Sequence, residues 1–220
     1  MNFHASFSGT DCSGKSTQIK LLHNHMESLG EKVRVFWYRP GYSREMDWLR
    51  STFRKLSPGS LPIYSEGKKR DAVFSKPGIS NAWLLMAFID AFVQYAIKIR
   101  YWRLIGYNVI CDRYIQDAVI DLRIRFPSHG KSINRGYNIL AFFAPKPAVR
   151  FVLSIPETEA ILRMEEKNEP FPDSPEVRNL RLLEYKKLVA SEGYIVINGI
   201  DSVENIHNKI ISKLSLQGRD

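Results

Sequence analysis

Short apolar runs alternate along this chain with longer stretches of helical period. "FHASFS" (3–8) predicts a strand, and "KSTQIKLLHNHMESLG" (15–30) predicts a helix that ends at Gly30. "KVRVFWY" (32–38) predicts a second strand, closed by Pro40-Gly41. Residues 44–78 predict a short helix and an irregular stretch punctuated by Pro58, Pro62 and Pro77. A long helix follows over roughly 80–105 and stops at Gly106. "YNVICD" (107–112), "AVRFVLSI" (148–155) and "YIVING" (194–199) predict three further strands, and helices are predicted over 157–167, 175–191 and 202–214.

Strands that alternate with helices imply an α/β architecture, a parallel sheet with helices on both faces. In such sheets ligands gather at the carboxyl ends of the strands. The chemistry-bearing motifs all fall there. Gly9 to Thr17 follows strand one, Arg39 follows strand two, and Asp112-Arg113 ends strand three. The 220 residues are enough for one compact α/β domain, which is the expectation for 1–220.

The stretch "SGTDCSGKSTQ" (8–18) holds the spacing Gly-x-x-x-x-Gly-Lys-Ser. Its glycines let the backbone wrap so that successive N–H groups point at phosphate oxygens, and the helix that starts near Lys15 adds its positive end. Gly9, Thr10, Asp11, Cys12, Ser13, Gly14, Lys15, Ser16 and Thr17 are therefore the predicted cradle for ATP phosphates, with Lys15 on the β- and γ-phosphates and Ser16 on Mg2+. "VICDR" supplies the matching acid at a strand end: Asp112 to orient the metal, and Arg113 beside it to neutralise the transferring phosphoryl group. A guanine-reading Asn-Lys-x-Asp is not completed by "NKII" (208–211), so a kinase fits better than a GTP-driven switch.

Composition bounds the rest. The net charge is +9, and the segment from Arg39 to Lys76 carries nine cations against four acids, so over half the excess sits there. That basic face is either solvated or an attraction for phosphorylated substrates. No zinc-finger spacing or aromatic RNA-binding signature appears, so no nucleic-acid partner is expected. Cys12 and Cys111 cannot form a disulfide framework, which suits a reducing compartment. No basic-then-apolar leader is visible, and "AWLLMAFIDAFVQYAIKI" (82–99) is interrupted by Asp90, Gln94 and Lys98, so it predicts a buried helix and not a membrane span. The expectation is a cytoplasmic protein.

"FSGTDCSGKSTQ", "YRPG", "DRY" and "RMEEKNE" together resemble the thymidylate kinase family, in the same order and at similar intervals over most of the chain. The resemblance implies a three-layer P-loop kinase fold with a five-stranded parallel sheet and a mobile lid near 164–175. It also implies an acceptor-side segment near 40–80, and γ-phosphoryl transfer from Mg·ATP to dTMP. It implies that Asp11 helps place the acceptor, that Arg113 touches phosphate, and that Arg163 and Lys167, one helical turn apart, clamp ATP. It further implies a frequent cis bond before Pro40 and a homodimer, for which the apolar helix 80–105 is the candidate face.

The departures fall on the acceptor side. The family usually has Glu at Ser8 and an acid at Arg39, an arginine in the long helix where this chain reads "IDAFVQ" (89–94), and an aromatic at Asp121. Asp117 and Asp121, like Asp90 and Gln94, are four apart and can share a helix face. Carboxylates suit hydroxyl groups better than a phosphate dianion. The candidate acceptor-binding set is thus Asp11, Arg39, Asp90, Gln94, Arg113, Asp117 and Asp121. Three readings stay open: a nucleoside monophosphate kinase whose arginine comes from elsewhere, a kinase for a free hydroxyl of a nucleoside or sugar-like metabolite, and a nucleotide-binding regulator without transfer. In the bland reading these acids face solvent or pair with Arg123 and Arg125.

Overall fold

The computed structural model describes residues 3–40, 43, 51, 77–167, 174–191 and 193–217. The elements run β1 (His4–Gly9), α1 (Lys15–Ser28), β2 (Val33–Trp37), then α2 (Pro77–Ala91), which continues through a π-helical segment (Phe92–Lys98) into α3 (Ile99–Leu104). Next come β3 (Asn108–Asp112), α4 (Ile115–Arg125), a 3-10 turn (Pro127–His129), α5 (Gly130–Phe143), β4 (Val149–Ser154), α6 (Glu157–Lys167), α7 (Pro175–Val189), β5 (Ile195–Asn198) and α8 (Val203–Gln217). The five strands form one sheet in the order β2-β3-β1-β4-β5, and every pairing is parallel.

Side chains alternate across the sheet with the two-residue period of a strand. Phe3, just before β1, and Ala5 and Phe7 within it join Ile110, Phe151, Leu153 and Ile197 under α1 and α8, whose Ile19, Leu22, Ile206 and Ile210 close that face. Val109 and Cys111 of β3 face the other way, with Tyr95, Ile99, Tyr114, Ile115, Ala118 and Leu140. The intervening residues of β1, His4, Ser6 and Ser8, are equally buried, so a polar row lies inside the second layer. Buried polar atoms must be paired to be tolerated, and Ser8 donates its hydroxyl to Asp117 at 2.6 Å.

All five predicted strands are present, within a residue or two of the expected limits. The helix after the phosphate loop stops where expected, because Gly30 takes φ 76° and its N–H caps the carbonyl of Glu27. Two helices went unassigned from sequence, α4 and α5. Their turn-rich surroundings, "RFPSHG" (125–130), masked a helical period that Ile115, Ala118, Val119 and Leu122 display once buried. The predicted short helix and irregular stretch over 44–78 falls almost wholly outside the described residues, as do 168–173 of the expected lid. No cis peptide bond occurs among the described residues, so the Arg39–Pro40 bond is trans, contrary to expectation. Trans is the ground state of an X–Pro bond by about 0.5–1 kcal/mol.

Gly78–Leu104 is the one described helical stretch long and apolar enough to cross a membrane by composition, and 56% of its most apolar window is buried inside the protein. Buried Trp83, Ala87, Tyr95 and Ile99 mark its inward side. Within the π segment Gln94, Tyr95 and Ala96 are buried in succession.

Candidate functional site

Three segments converge at the carboxyl end of the sheet: the loop after β1, the turn after β3, and the end of α6. They enclose a cavity of about 360 Å³ lined by the run Asp11–Thr17 together with Trp37, Asp112, Arg113, Arg163 and Lys167. The register places Phe7 opposite Asp112, and Trp37 opposite Asp112 on the other side, so β3 delivers its acid between the phosphate loop and the end of β2.

The loop conformation follows from its residue types. Gly9 takes φ 138°, and a Cβ there would stand 2.3 Å from the carbonyl oxygen of Leu153. Only glycine lets β1 run this close to β4 before the chain turns. Cys12 also has a positive φ, 61°. Lys15, at the first turn of α1, is buried and folds back onto the loop. Its ammonium donates to the carbonyl oxygens of Gly9 (2.9 Å) and Thr10 (2.6 Å) and to the Ser13 hydroxyl (3.3 Å). Burial and the nearby Arg113 pull its pKa down to about 8, against the partial support of Asp11 and Asp112.

Arg113 adopts φ 74°, which turns its side chain back over the loop. There it pairs with Asp11 and donates to the Tyr185 hydroxyl at 2.8 Å. Burial disfavours its charge, but Tyr185, Asp11, Asp117 and Asp121 outweigh that and raise its pKa. Burial likewise raises the Asp11 carboxyl, yet Arg113, Lys15 and Arg181 hold it below the usual carboxylate range. For Asp112 burial wins, and its pKa is raised in spite of Lys15 and Arg113. Arg163 spans the far wall: its guanidinium donates to the Gly199 carbonyl at 3.1 Å and the Cys12 carbonyl at 3.4 Å, and pairs with Glu159 at 2.6 Å.

Magnesium nucleotide fits this set of groups. Exposed Ser16 begins α1 in the same cavity as the Asp112 carboxyl, one hydroxyl and one acid, which is the sparse oxygen set that magnesium completes with water and phosphate. The loop that follows Gly9 leads directly into the N-terminus of α1, where backbone N–H groups favour a phosphate.

A second cavity, of about 350 Å³, is lined by Arg39, Pro40, Trp83, Asp121, Leu122, Ile124, Arg125, Pro127, Val177 and Arg181. Arg125 sits over the Trp83 ring, 5.7 Å from its centre. The two linings are linked through α7: Arg113 of the first cavity bonds Tyr185, and Arg181 of the second lies one turn away on the same helix. Asp117 and Asp121 lie one turn apart on α4 and face Tyr185 and Arg181, one turn apart on α7. Tyr185 donates to Asp117 at 2.5 Å, and Arg181 pairs with Asp121.

The sequence-derived set thus divides. Asp11, Cys12, Ser13, Gly14, Lys15, Ser16, Thr17, Asp112, Arg113, Arg163 and Lys167 line the first cavity, with Gly9 and Thr10 behind them as acceptors for Lys15. Arg39 and Asp121 line the second. Asp117 is buried between them and accepts from Ser8, Tyr185 and the Tyr114 N–H at 2.9 Å. Asp90 and Gln94 line neither cavity. Asp90 is buried and accepts from the Ser43 hydroxyl at 2.5 Å, and Gln94 accepts from Lys98 at 3.1 Å. Arg123 turns away, to Glu184 at 3.1 Å and Asn134.

Arg125, Arg181, Tyr185 and Trp83 were not singled out from sequence for this site. The readable signal was the repeat of four in "RLLEY" (181–185), matched to the same interval between Asp117 and Asp121.

No protein-family model matches the chain. It is similar to curated proteins over nearly its full length. It is 26% identical to the thymidylate kinase of Sulfurihydrogenibium, covering 97% of both chains. It is 27% identical to a probable thymidylate kinase of Methanocaldococcus jannaschii, covering 97% of this chain and 96% of the other. With the thymidylate kinase of Mesoplasma florum it shares 28% identity over 94% of each.

Proposed function

Because this chain is a relative of the thymidylate kinases over nearly its whole length, we propose that it transfers the γ-phosphoryl group of ATP to a nucleoside monophosphate, with dTMP the expected acceptor. One observation supports a phosphorylated acceptor over a free hydroxyl. The cavity beside the phosphate loop is lined by Arg39, Arg125 and Arg181, while Asp117 and Asp121, which a hydroxyl acceptor would need as base or hydrogen-bond acceptor, are already engaged by Tyr185, Ser8 and Arg181. These arginines stand in for the one missing from the long helix.

In this reading the loop N–H groups and Lys15 bind the β- and γ-phosphates, and phosphate replaces the carbonyls that Lys15 now contacts. Ser16 and Asp112 would hold magnesium, which supplies charge neutralisation on the bridging phosphate oxygens. Arg113, in the lining of the first cavity, spreads the charge of the transferring group, with Asp11 fixing its orientation. Arg163 and Lys167 close the donor side. An acceptor phosphate is already ionised at neutral pH, so no general base is required; positioning and water exclusion carry the rate.

The exposed apolar residues Leu85, Ile89, Ile97 and Leu104 on the outer side of α2–α3, with Phe142 and Phe143 beside them, support the homodimer reading with this face as the interface. Sedimentation of the purified chain tests it.

The test of function is ATP consumption with Mg2+ against dTMP, other nucleoside monophosphates, nucleosides and sugars. Turnover with dTMP is the expected result. Turnover only with unphosphorylated compounds, or with none, overturns the reading.

A further inference from the structure

The phenol of Tyr185 sits at the centre of a buried polar chain that no cradle motif contains. It donates to Asp117 Oδ1 at 2.5 Å and accepts from Arg113 Nη1 at 2.8 Å. The other oxygen of Asp117 accepts from the Ser8 hydroxyl at 2.6 Å and from the Tyr114 N–H at 2.9 Å. Four elements meet through these bonds: β1 through Ser8, the turn after β3 through Tyr114, α4 through Asp117 and α7 through Tyr185. Tyr185 is 4% exposed and lines neither cavity, so it is out of reach of any ligand.

We infer that Tyr185 is a positioning residue for Arg113, holding its guanidinium in the wall of the phosphate-loop cavity. The inference rests on the proposed transfer reaction and names a part of the same site. Arg113 has a left-handed backbone, so its side chain needs fixed partners to stay aimed at the loop. Asp11 is one such partner, but that carboxylate is half exposed and faces the nucleotide cavity. On the buried side Tyr185 is the direct hydrogen-bond partner, and the Asp117 carboxylate stands behind it at 3.9 Å from the same nitrogen. Its hydroxyl can accept from Arg113 only while its proton points at Asp117, and Asp117 is fixed in turn by Ser8 and the start of α4. The Asp121–Arg181 pair, one turn further along the same two helices, holds α7 in register.

The experiment compares Tyr185→Phe with the wild-type chain, and repeats the substitution in an Arg113→Ala background. Loss of the hydroxyl is expected to lower kcat about 10- to 100-fold with KM for ATP changed less than about threefold, since positioning acts on the transition state. In the Arg113→Ala background the same substitution is expected to change kcat less than about twofold. A purely structural role would reduce both backgrounds alike, and that result overturns the inference. A second readout does not need turnover: the Arg113 guanidinium resonances, narrow and slowly rotating in the wild type, should broaden or collapse in Tyr185→Phe. If no nucleoside monophosphate is turned over the proposed reaction falls, and the resonances still decide Tyr185: unchanged Arg113 signals overturn its role, and collapsed signals support it.

Discussion

The ammonium of Lys15 donates to the carbonyl oxygen of Gly9 at 2.9 Å, so the lysine folds back onto its own phosphate loop. Buried charge is tolerated there because three oxygens surround it, yet its pKa still falls to about 8. Phosphate binding requires the charged form. Above pH 8 the free protein must first take up a proton, so ATP affinity should fall by up to about tenfold per pH unit between 8 and the pKa of the bound state. Calorimetry in buffers of different ionisation enthalpy should show proton uptake on binding at pH 8.5. Lys15→Ala should lower transfer about 100- to 1,000-fold while the far-ultraviolet circular dichroism is unchanged; near-normal turnover in that variant would sink the assignment of the loop.

The two cysteines should separate cleanly under alkylation. Cys12 is partly exposed in the phosphate cavity, whereas Cys111 is buried in the sheet and its thiol pKa is pushed well up by burial. Mass spectrometry after brief treatment with a maleimide should find label on Cys12 alone. Saturating Mg·ATP should slow that labelling at least about tenfold, because the ligand covers the loop; unprotected labelling would place the nucleotide elsewhere.

The sheet and the cradle were legible because their signals are local. Apolar strands, a glycine spacing with one physical purpose, and Asp112 at a strand end need no tertiary information. The acceptor side was not, because its residues become neighbours only when α7 packs on α4. Asp117 and Asp121 look alike in sequence, four apart among isoleucines and arginines. One is wholly buried and ties Ser8 to Tyr185, and the other pairs with Arg181 some 60 positions away. Asp90 shows the same dependence on tertiary packing: a carboxylate in an apolar helix reads as a ligand group, and in the fold it accepts from the backbone and hydroxyl of Ser43. The three arginines of the second cavity come from three separate elements, a grouping that no single-helix pattern can reveal.

His4 should govern acid stability. It is buried in β1 against Tyr114 and within 3.3 Å of the Cys111 sulfur, and burial, then Arg103, lowers its pKa from 6.5 to about 3. Below pH 6.5 the unfolded chain binds a proton that the folded chain refuses, so stability falls with pH from 6.5 toward 3, by up to about 1.4 kcal/mol per unit. Urea unfolding at pH 7, 6, 5 and 4 should show this limb, and His4→Asn should flatten it whatever it costs at pH 7. An acid limb of the same slope in His4→Asn would assign the loss to other groups.

The last prediction separates the two cavities by kinetics. Arg39 and Arg125 line the second cavity, whereas Arg163 belongs to the first. A charge-assisted hydrogen bond to phosphate or base contributes about 1.5–3 kcal/mol, or roughly 10- to 100-fold in binding. Arg39→Gln and Arg125→Gln should therefore raise KM for the acceptor by about that factor with KM for ATP nearly constant. Arg163→Gln should do the opposite. Steady-state kinetics with each substrate varied at saturation of the other measures both. If Arg39→Gln and Arg125→Gln leave acceptor KM untouched, the arginine-lined cavity does not hold the acceptor, and the case for a phosphorylated acceptor loses its structural support.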